Sequence, residues 1–209
     1  GEGWHRQAGQ AHAEINALAM AGDKARGATA YVTLEPCRHF GRTPPCVQAL
    51  LAAGITRVVT AMEDPNPQVA GQGLVQLRNT GIAVECGVME TEARALNPGF
   101  ITRMTQGRPF VRCKLAMSLD GRTAMASGES QWITGAAARE DVQRLRARSC
   151  AIMTGIGTIL ADDPSLNVRL PGEMPRQPLR VILDPELETP PDARTLWLDG
   201  DTLIFTGLT

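Results

Sequence analysis

In the stretch GQAHAEINALAMAG, His12 and Glu14 stand two residues apart at the mouth of an apolar run, and in LEPCRHFGRTPPC the cysteines Cys37 and Cys46 flank a polar loop. An imidazole and two thiolates suit Zn²⁺, and three protein ligands leave the fourth tetrahedral position for water, as in catalytic rather than structural zinc sites. Such an ion brings the acidity of water towards neutral pH. Glu14 is poorly placed to bind the same ion but near enough to take a proton from that water and hand it to a leaving amine. Alone, an H-A-E reads as a capped helix and a cysteine at a helix start as small-residue packing. The combination of all four residues, in this order, carries the weight.

These side chains need elements to hold them, and the chain alternates short β-rich runs with helical patterns. Ile15, Leu18 and Ala19 give GQAHAEINALAMAG a helical face, and ATAYVTL reads as a strand ending at Glu35. PPCVQALLAAG is a helix with Val47, Leu50 and Leu51 on one side, Pro at its start and Gly54 at its stop. ITRVVTAM follows as a buried strand, GQGLVQLRNTG and IAVECGV as a helix and a strand, and ETEARALNPGFITRM as one further helix. This alternation predicts a mostly parallel sheet covered on both faces. His12 and Cys46 then fall at helix N-termini, whose positive dipole ends favour thiolate and hydroxide.

TQGRPF, with Gly107 and Pro109, interrupts the rhythm, so the expected domains are 1–107 and 108–209. Beyond it FVRCKLAM, CAIMTG, PLRVILDPEL and DTLIFTG read as strands, GAAAREDVQRLRARS as an amphipathic helix and RLPGEMPRQP as a Pro-rich loop. MTGIGTILADDP supplies a strand, two glycines, a helix starting at Thr158, and Asp162 beyond. A G-x-G after a strand is common, and the full G-x-G-x-x-G is absent. Cys86, Cys113 and Cys150 lie in or beside expected strands and read as core.

The 209 residues are 43% apolar and 21% charged, as in ordinary globular chains. A net charge of −1 builds in no general attraction to nucleic acid or membrane and points to a small-molecule partner. No apolar run approaches the roughly 20 residues that span a bilayer and no basic-then-apolar leader is visible, which predicts a cytoplasmic protein. Five cysteines in a chain able to build its own core argue against a disulfide framework. The chain opens without Met and stops inside a strand-and-turn pattern, which reads as a fragment.

H-x-E followed by P-C and a second Cys is the pattern of zinc deaminases, in which hydroxide attacks an amidine-type ring carbon. Their common spacing puts two residues between the cysteines, whereas eight, RHFGRTPP, intervene here, so the loop bulges and borders the substrate pocket. HAE, TLEPCRHFGRTPPC and DPNPQVAGQG together resemble the deaminase half of the bifunctional riboflavin-biosynthesis deaminase/reductases. KLAMSLDGRTAMASGESQWIT and GIGTILADDPSLNVR resemble their reductase half.

The resemblance implies an α/β chain: a cytidine-deaminase-like α/β/α domain, then a partial dihydrofolate-reductase-like α/β domain. It implies zinc on His12, Cys37 and Cys46 with Glu14 as proton shuttle, and NADPH as the second cofactor. The implied substrate is a diaminopyrimidinone carrying a ribosylamino 5′-phosphate, which loses its ring 2-amino group before its ribosyl group is reduced to ribityl. His5, His39, Arg42, Asp64 and Asn66 would contact that nucleotide, although His5 also fits a solvated strand end and DPNP a tight turn. In the second half Ala116, Trp132, Thr158 and Asp162 would line the cofactor site and Ser130, Arg146, Leu166 and Arg169 the substrate site. Trp132 equally fits a core aromatic, and Arg146 sits between Arg144 and Arg148 on a largely solvated helix face. Family enzymes are often oligomeric. Zinc deaminases of other bases, and a zinc-stabilised binding module without catalysis, are the competing readings.

Overall fold

A strand that reads RVVT, with no polar residue alternating, is stable only between two neighbours and under cover. The computed structural model, which describes residues 1–67, 69–172 and 176–207, gives it both. The chain divides into two units, 1–113 and 114–209.

In the first unit β1 (Thr29–Val32), β2 (Arg57–Thr60) and β3 (Ala83–Cys86) form a parallel sheet in the order β1-β2-β3, with Ala30 opposite Val58 and Val58 opposite Val84. Parallel neighbours need crossovers. Helix α2 (Cys46–Ala52) supplies the first and α3 (Gln72–Asn79) the second, with α1 (Ala13–Ala21) beside α2. Val47, Leu50, Ile55, Val58, Leu77 and Ile82 form the core on one face of the sheet, joined by Leu18 and Val32. The other face is less covered than the alternation predicts, since Tyr31 is 72% exposed and Glu85 reaches solvent to pair with Arg57 at 2.6 Å. Ala19 also faces water, so the apolar stripe of α1 is narrower than its sequence suggests.

The helix expected over ETEARALNPGFITRM is two, α4 (Glu90–Leu96) and α5 (Pro98–Gln106). Pro98 lacks an N–H and disfavours helical backbone at the residue before it, and Asn97 accordingly leaves the helix at φ −128°, ψ 51°. Gly107 ends α5 in the left-handed conformation, where its N–H bonds to the Arg103 carbonyl. The units part after Cys113, a little beyond the expected boundary at 107/108.

The second unit holds α6 (Ala136–Ala147), β4 (Ala151–Gly155), α7 (Ile156–Asp162), β5 (Leu179–Leu183), α8 (Arg194–Trp197) and β6 (Thr202–Phe205), its sheet parallel in the order β4-β5-β6. Ile159, Leu166, Ile182 and Ala193 are its core. The expected strand FVRCKLAM forms no ladder: Val111 and Leu115 are 75% and 66% exposed, and no described segment pairs with them. Helix α7 begins at Ile156, so Thr158 lies inside its first turn. Of the expected Pro-rich loop over 169–178, residues 173–175 lie outside the described residues.

Two buried charges are built into this unit. Arg180, the second residue of β5, donates to Thr202 Oγ1 at 2.9 Å, to the carbonyls of Leu198 and Asp199 at 2.8 and 3.0 Å, and to that of Gly200. Asp184 accepts the N–H groups of Glu188 and Thr189 and the Thr189 hydroxyl. Cys86, Cys113 and Cys150 are exposed rather than core. Cys86 ends an edge strand, Cys113 lies on the unpaired segment, and Cys150 precedes the edge strand β4, so burial by a neighbouring strand never reaches them.

Candidate functional site

His12 is the N-cap residue of α1, held in extended backbone at φ −69°, ψ 164°. Cys46 is the first residue of α2, delivered by Pro45, and Cys37 lies on the loop that leaves β1. One ligand atom from each converges, all within 4.8 Å of one another. Nδ1 of His12 lies 3.5 Å from Cys37 Sγ and 3.2 Å from Cys46 Sγ. Tetrahedral zinc with ordinary bond lengths sets such ligand atoms about 3.5–3.8 Å apart, so the donor set and its spacing fit one shared ion. Two further contacts hold the triad: the Cys46 N–H donates to Cys37 Sγ at 3.3 Å, and the Val47 N–H to the Cys37 carbonyl at 3.1 Å.

The electrostatics already lean towards metal binding. The hydrogen bond from the Cys46 thiol outweighs burial and, with the Cys46 N–H and His12, brings the Cys37 thiol down to about 5. The same shared bond and burial push Cys46 up, a penalty that a cation in contact with both sulfurs removes. Glu14, on the first turn of α1 and in contact with the Cys46 thiol, has its carboxyl raised by burial.

Thr43 was not among the expected site residues. Its hydroxyl lies 3.1 Å from His12 Nε2, so the loop between the cysteines fixes the ring whose other nitrogen faces them. Spacing carries no signal for such a contact, because it depends on the path of the loop.

The five expected nucleotide contacts are placed unevenly. The His5 ring is edge-on to His12, centroids 5.3 Å apart, with Nδ1 3.1 Å from the Ala11 carbonyl. His39 and Arg42 are exposed on the loop between the cysteines. Asp64 and Asn66 form a turn beyond β2 in which Asp64 Oδ1 accepts the Asn66 N–H at 2.8 Å. Burial and the nearby Glu35 raise the Asp64 carboxyl, opposed by the Asn66 N–H and by His39, which brings His39 and Asp64 to one neighbourhood.

In the second unit all eight expected residues line one cleft of about 1080 Å³: Ala116, Ser130, Trp132, Arg146, Thr158, Asp162, Leu166 and Arg169. Trp132 is 69% exposed with the Arg139 guanidinium 4.5 Å from its ring centroid, so it is not a core aromatic. Arg146 is half-buried rather than solvated, donates to the Asn167 carbonyl at 3.2 Å, and has its pKa lowered by burial and by Arg169. The Arg169 side chain donates to Asn167 Oδ1 at 3.0 Å. Among the described residues neither arginine has a carboxylate partner.

Fold and site define a zinc-deaminase region followed by a second α/β unit, and comparison with known proteins agrees. Residues 1–62 match the cytidine and deoxycytidylate deaminase zinc-binding region, and residues 109–208 match the RibD C-terminal domain. The chain is 56% identical over 213 aligned positions to the riboflavin biosynthesis protein RibD of Escherichia coli (strain K12), covering 97% of this chain and 58% of that protein. With the Aquifex aeolicus RibD it shares 52% over 208 positions, 99% of this chain and 58% of that one. A solved structure of Acinetobacter baumannii RibD superposes with a TM-score of 0.93 at 54% identity, covering all of this chain and 60% of that one. A Thermotoga maritima structure, described as a diaminohydroxyphosphoribosylaminopyrimidine deaminase/5-amino-6-(5-phosphoribosylamino)uracil reductase, gives a TM-score of 0.91 at 42% identity over 99% of this chain and 59% of that one. The chain belongs to the RibD family of riboflavin biosynthesis proteins, and it spans less than two thirds of the length of these relatives.

Proposed function

We propose that the first unit hydrolyses the ring 2-amino group of a diaminopyrimidinone ribosylamino 5′-phosphate, giving a uracil and ammonia, and that the second unit contributes to NADPH-dependent reduction of the ribosyl group to ribityl. The observation that supports the first step most strongly is the convergence of His12, Cys37 and Cys46, with Glu14 in the first turn of the helix that His12 caps. Zinc held by those three residues supplies Lewis acidity that makes water a nucleophile near neutral pH.

The remaining work falls to the chain. Glu14 accepts the proton of the attacking water and returns it to the departing amine, and its raised pKa keeps both directions accessible. Thr43 holds the His12 ring, leaving Nδ1 to face the two sulfurs. His39 and Arg42 offer hydrogen-bond donors to a phosphate, and Asp64 and Asn66 offer acceptor and donor groups to the nucleotide. In the second unit Arg146 and Arg169 bind the ribose phosphate beside Ser130 and Leu166. Ala116, Trp132, Thr158 and Asp162, which line the same cleft, would border the nicotinamide cofactor, which would supply hydride chemistry there.

No helix among the described residues is long and apolar enough to cross a membrane, and the five cysteines are unpaired, which suits the reducing cytoplasm. A net charge of −1 fits a small-molecule substrate without nucleic acid, and assembly into a homo-oligomer is part of the same reading. Ammonia release from a panel of aminopyrimidine nucleotides tests the substrate. Release from the phosphorylated diaminopyrimidinone and none from cytidine is expected, and the reverse pattern rejects it.

A further inference from the structure

Helix α3 begins without a capping side chain of its own, since its N-cap residue is Gly71, at φ 75°. Four N–H groups at a helix start have no partner inside the helix. Gln72 gives its N–H to the Val69 carbonyl at 3.0 Å. The other three go to one remote carboxylate. Glu35 Oε1 accepts from Gly73 at 2.6 Å and Leu74 at 3.3 Å, and Oε2 from Gly71 at 2.8 Å. Oε2 also accepts the N–H of Asp64 at 3.0 Å, so the side chain is saturated by four backbone donors.

Glu35 is 3% exposed and two residues before Cys37. Its own N–H donates to the Met62 carbonyl at 3.0 Å, which ties the same segment to the end of β2. Close packing locks this arrangement: a Cβ at Gly73 would stand 2.1 Å from the Pro36 carbonyl oxygen. One carboxylate therefore joins the metal-ligand loop at Cys37 to two segments some thirty residues further along the chain, the turn at Asp64–Asn66 and the start of α3.

We infer that Glu35 is a positioning residue that sets the Asp64–Asn66 turn at a fixed separation from the Cys37 ligand, so that the nucleotide contacts and the metal centre stay in register. This rests on the proposed role of Asp64 in holding the nucleotide. Only a carboxylate serves. The glutamine amide has one acceptor oxygen, and its NH₂ would face two N–H donors, so Glu35→Gln keeps size and shape but releases one pair of bonds.

The test compares Glu35→Gln, Asp64→Asn and the double variant in the full-length, zinc-loaded protein, with zinc content, KM and kcat measured separately. Glu35→Gln is expected to retain zinc and to raise KM for the diaminopyrimidinone nucleotide by about tenfold while kcat changes less than about threefold. The double variant is expected to be no worse in KM than the worse single one, because both act on the same turn. Loss of zinc and kcat with KM unchanged, or independent additive effects on KM, overturns the inference. An Asp64→Asn protein with unchanged KM removes the nucleotide-contact reading beneath it, and is told apart because Glu35→Gln is then compared with no reference effect. Hydrogen exchange on the unaltered protein stands even where Glu35→Gln fails to fold. The amides of Asp64, Gly71, Gly73 and Leu74 are expected to be protected by about a hundredfold or more, and exchange at the free-chain rate overturns the proposal.

Discussion

The metal centre of the first unit and the cleft of the second are built on opposite principles. Three ligand atoms within 4.8 Å come from the N-cap of one helix, the first residue of another and one intervening loop, and backbone bonds to Cys37 help hold them together. The cleft spreads its eight expected residues over about 1080 Å³, drawn from the segment before α6, from α6 itself, from α7 and from the loop after it. A small ion with fixed bond lengths demands a rigid, short-range arrangement. A long cofactor and a nucleotide take their energy from many weak contacts across a wide surface. Hence single substitutions should be decisive in the first region and graded in the second.

The sharpest contrast is expected at Glu14. Glu14→Gln keeps the volume and removes the proton acceptor, so ammonia release should fall by about 10²–10⁴-fold while zinc content is unchanged. Parallel loss of zinc would make Glu14 structural. One step outward, Thr43→Ala should weaken zinc binding by about 10–100-fold in chelator competition, with Thr43→Ser restoring it. Equal affinity in the alanine variant would show that the loop does not orient His12.

How far these regions can be read from sequence follows the same divide. His12, Glu14, Cys37 and Cys46 were legible because ligand type, order and helix start all point the same way. Thr43 was not, since a hydroxyl's partner depends on how eight intervening residues fold. Glu35 left a faint signal: GQGLVQLRNTG has no capping residue, and a buried helix start must find an acceptor somewhere. The cleft residues came only through family likeness, because no spacing links Ser130 to Arg169. FVRCKLAM shows the limit of β-propensity, which reports fit to a pleated surface and not the presence of a neighbouring strand. The cysteines expected in the core are exposed for the same reason: Cys86 and Cys150 lie at or beside edge strands, and Cys113 lies on the segment that pairs with no strand.

Smaller effects mark the cleft. Trp132→Ala should leave thermal stability within about 0.5 kcal/mol, since the ring is 69% exposed, yet weaken NADPH binding in a fluorescence titration. A large fall in Tm with cofactor affinity intact would return Trp132 to the core. Acid should loosen the second unit through Asp184, where desolvation raises the carboxyl but the Thr189 hydroxyl and the N–H groups of Glu188, Thr189 and Leu187 more than reverse it. A folded-state pKa below the unfolded one means stability fully present above the unfolded value and lost as pH falls through the folded one. Asp184→Asn should flatten that acid limb of the unfolding curve, and an unchanged limb would assign it elsewhere.

X-ray absorption at the zinc edge, with metal content measured on the same sample, tests the metal centre most directly. One zinc per chain with two sulfur neighbours and one imidazole is expected, falling to one sulfur or to no zinc in Cys46→Ser. Four protein ligands on the ion, or a zinc environment unaltered in Cys46→Ser, would contradict a hydrolytic centre on His12, Cys37 and Cys46.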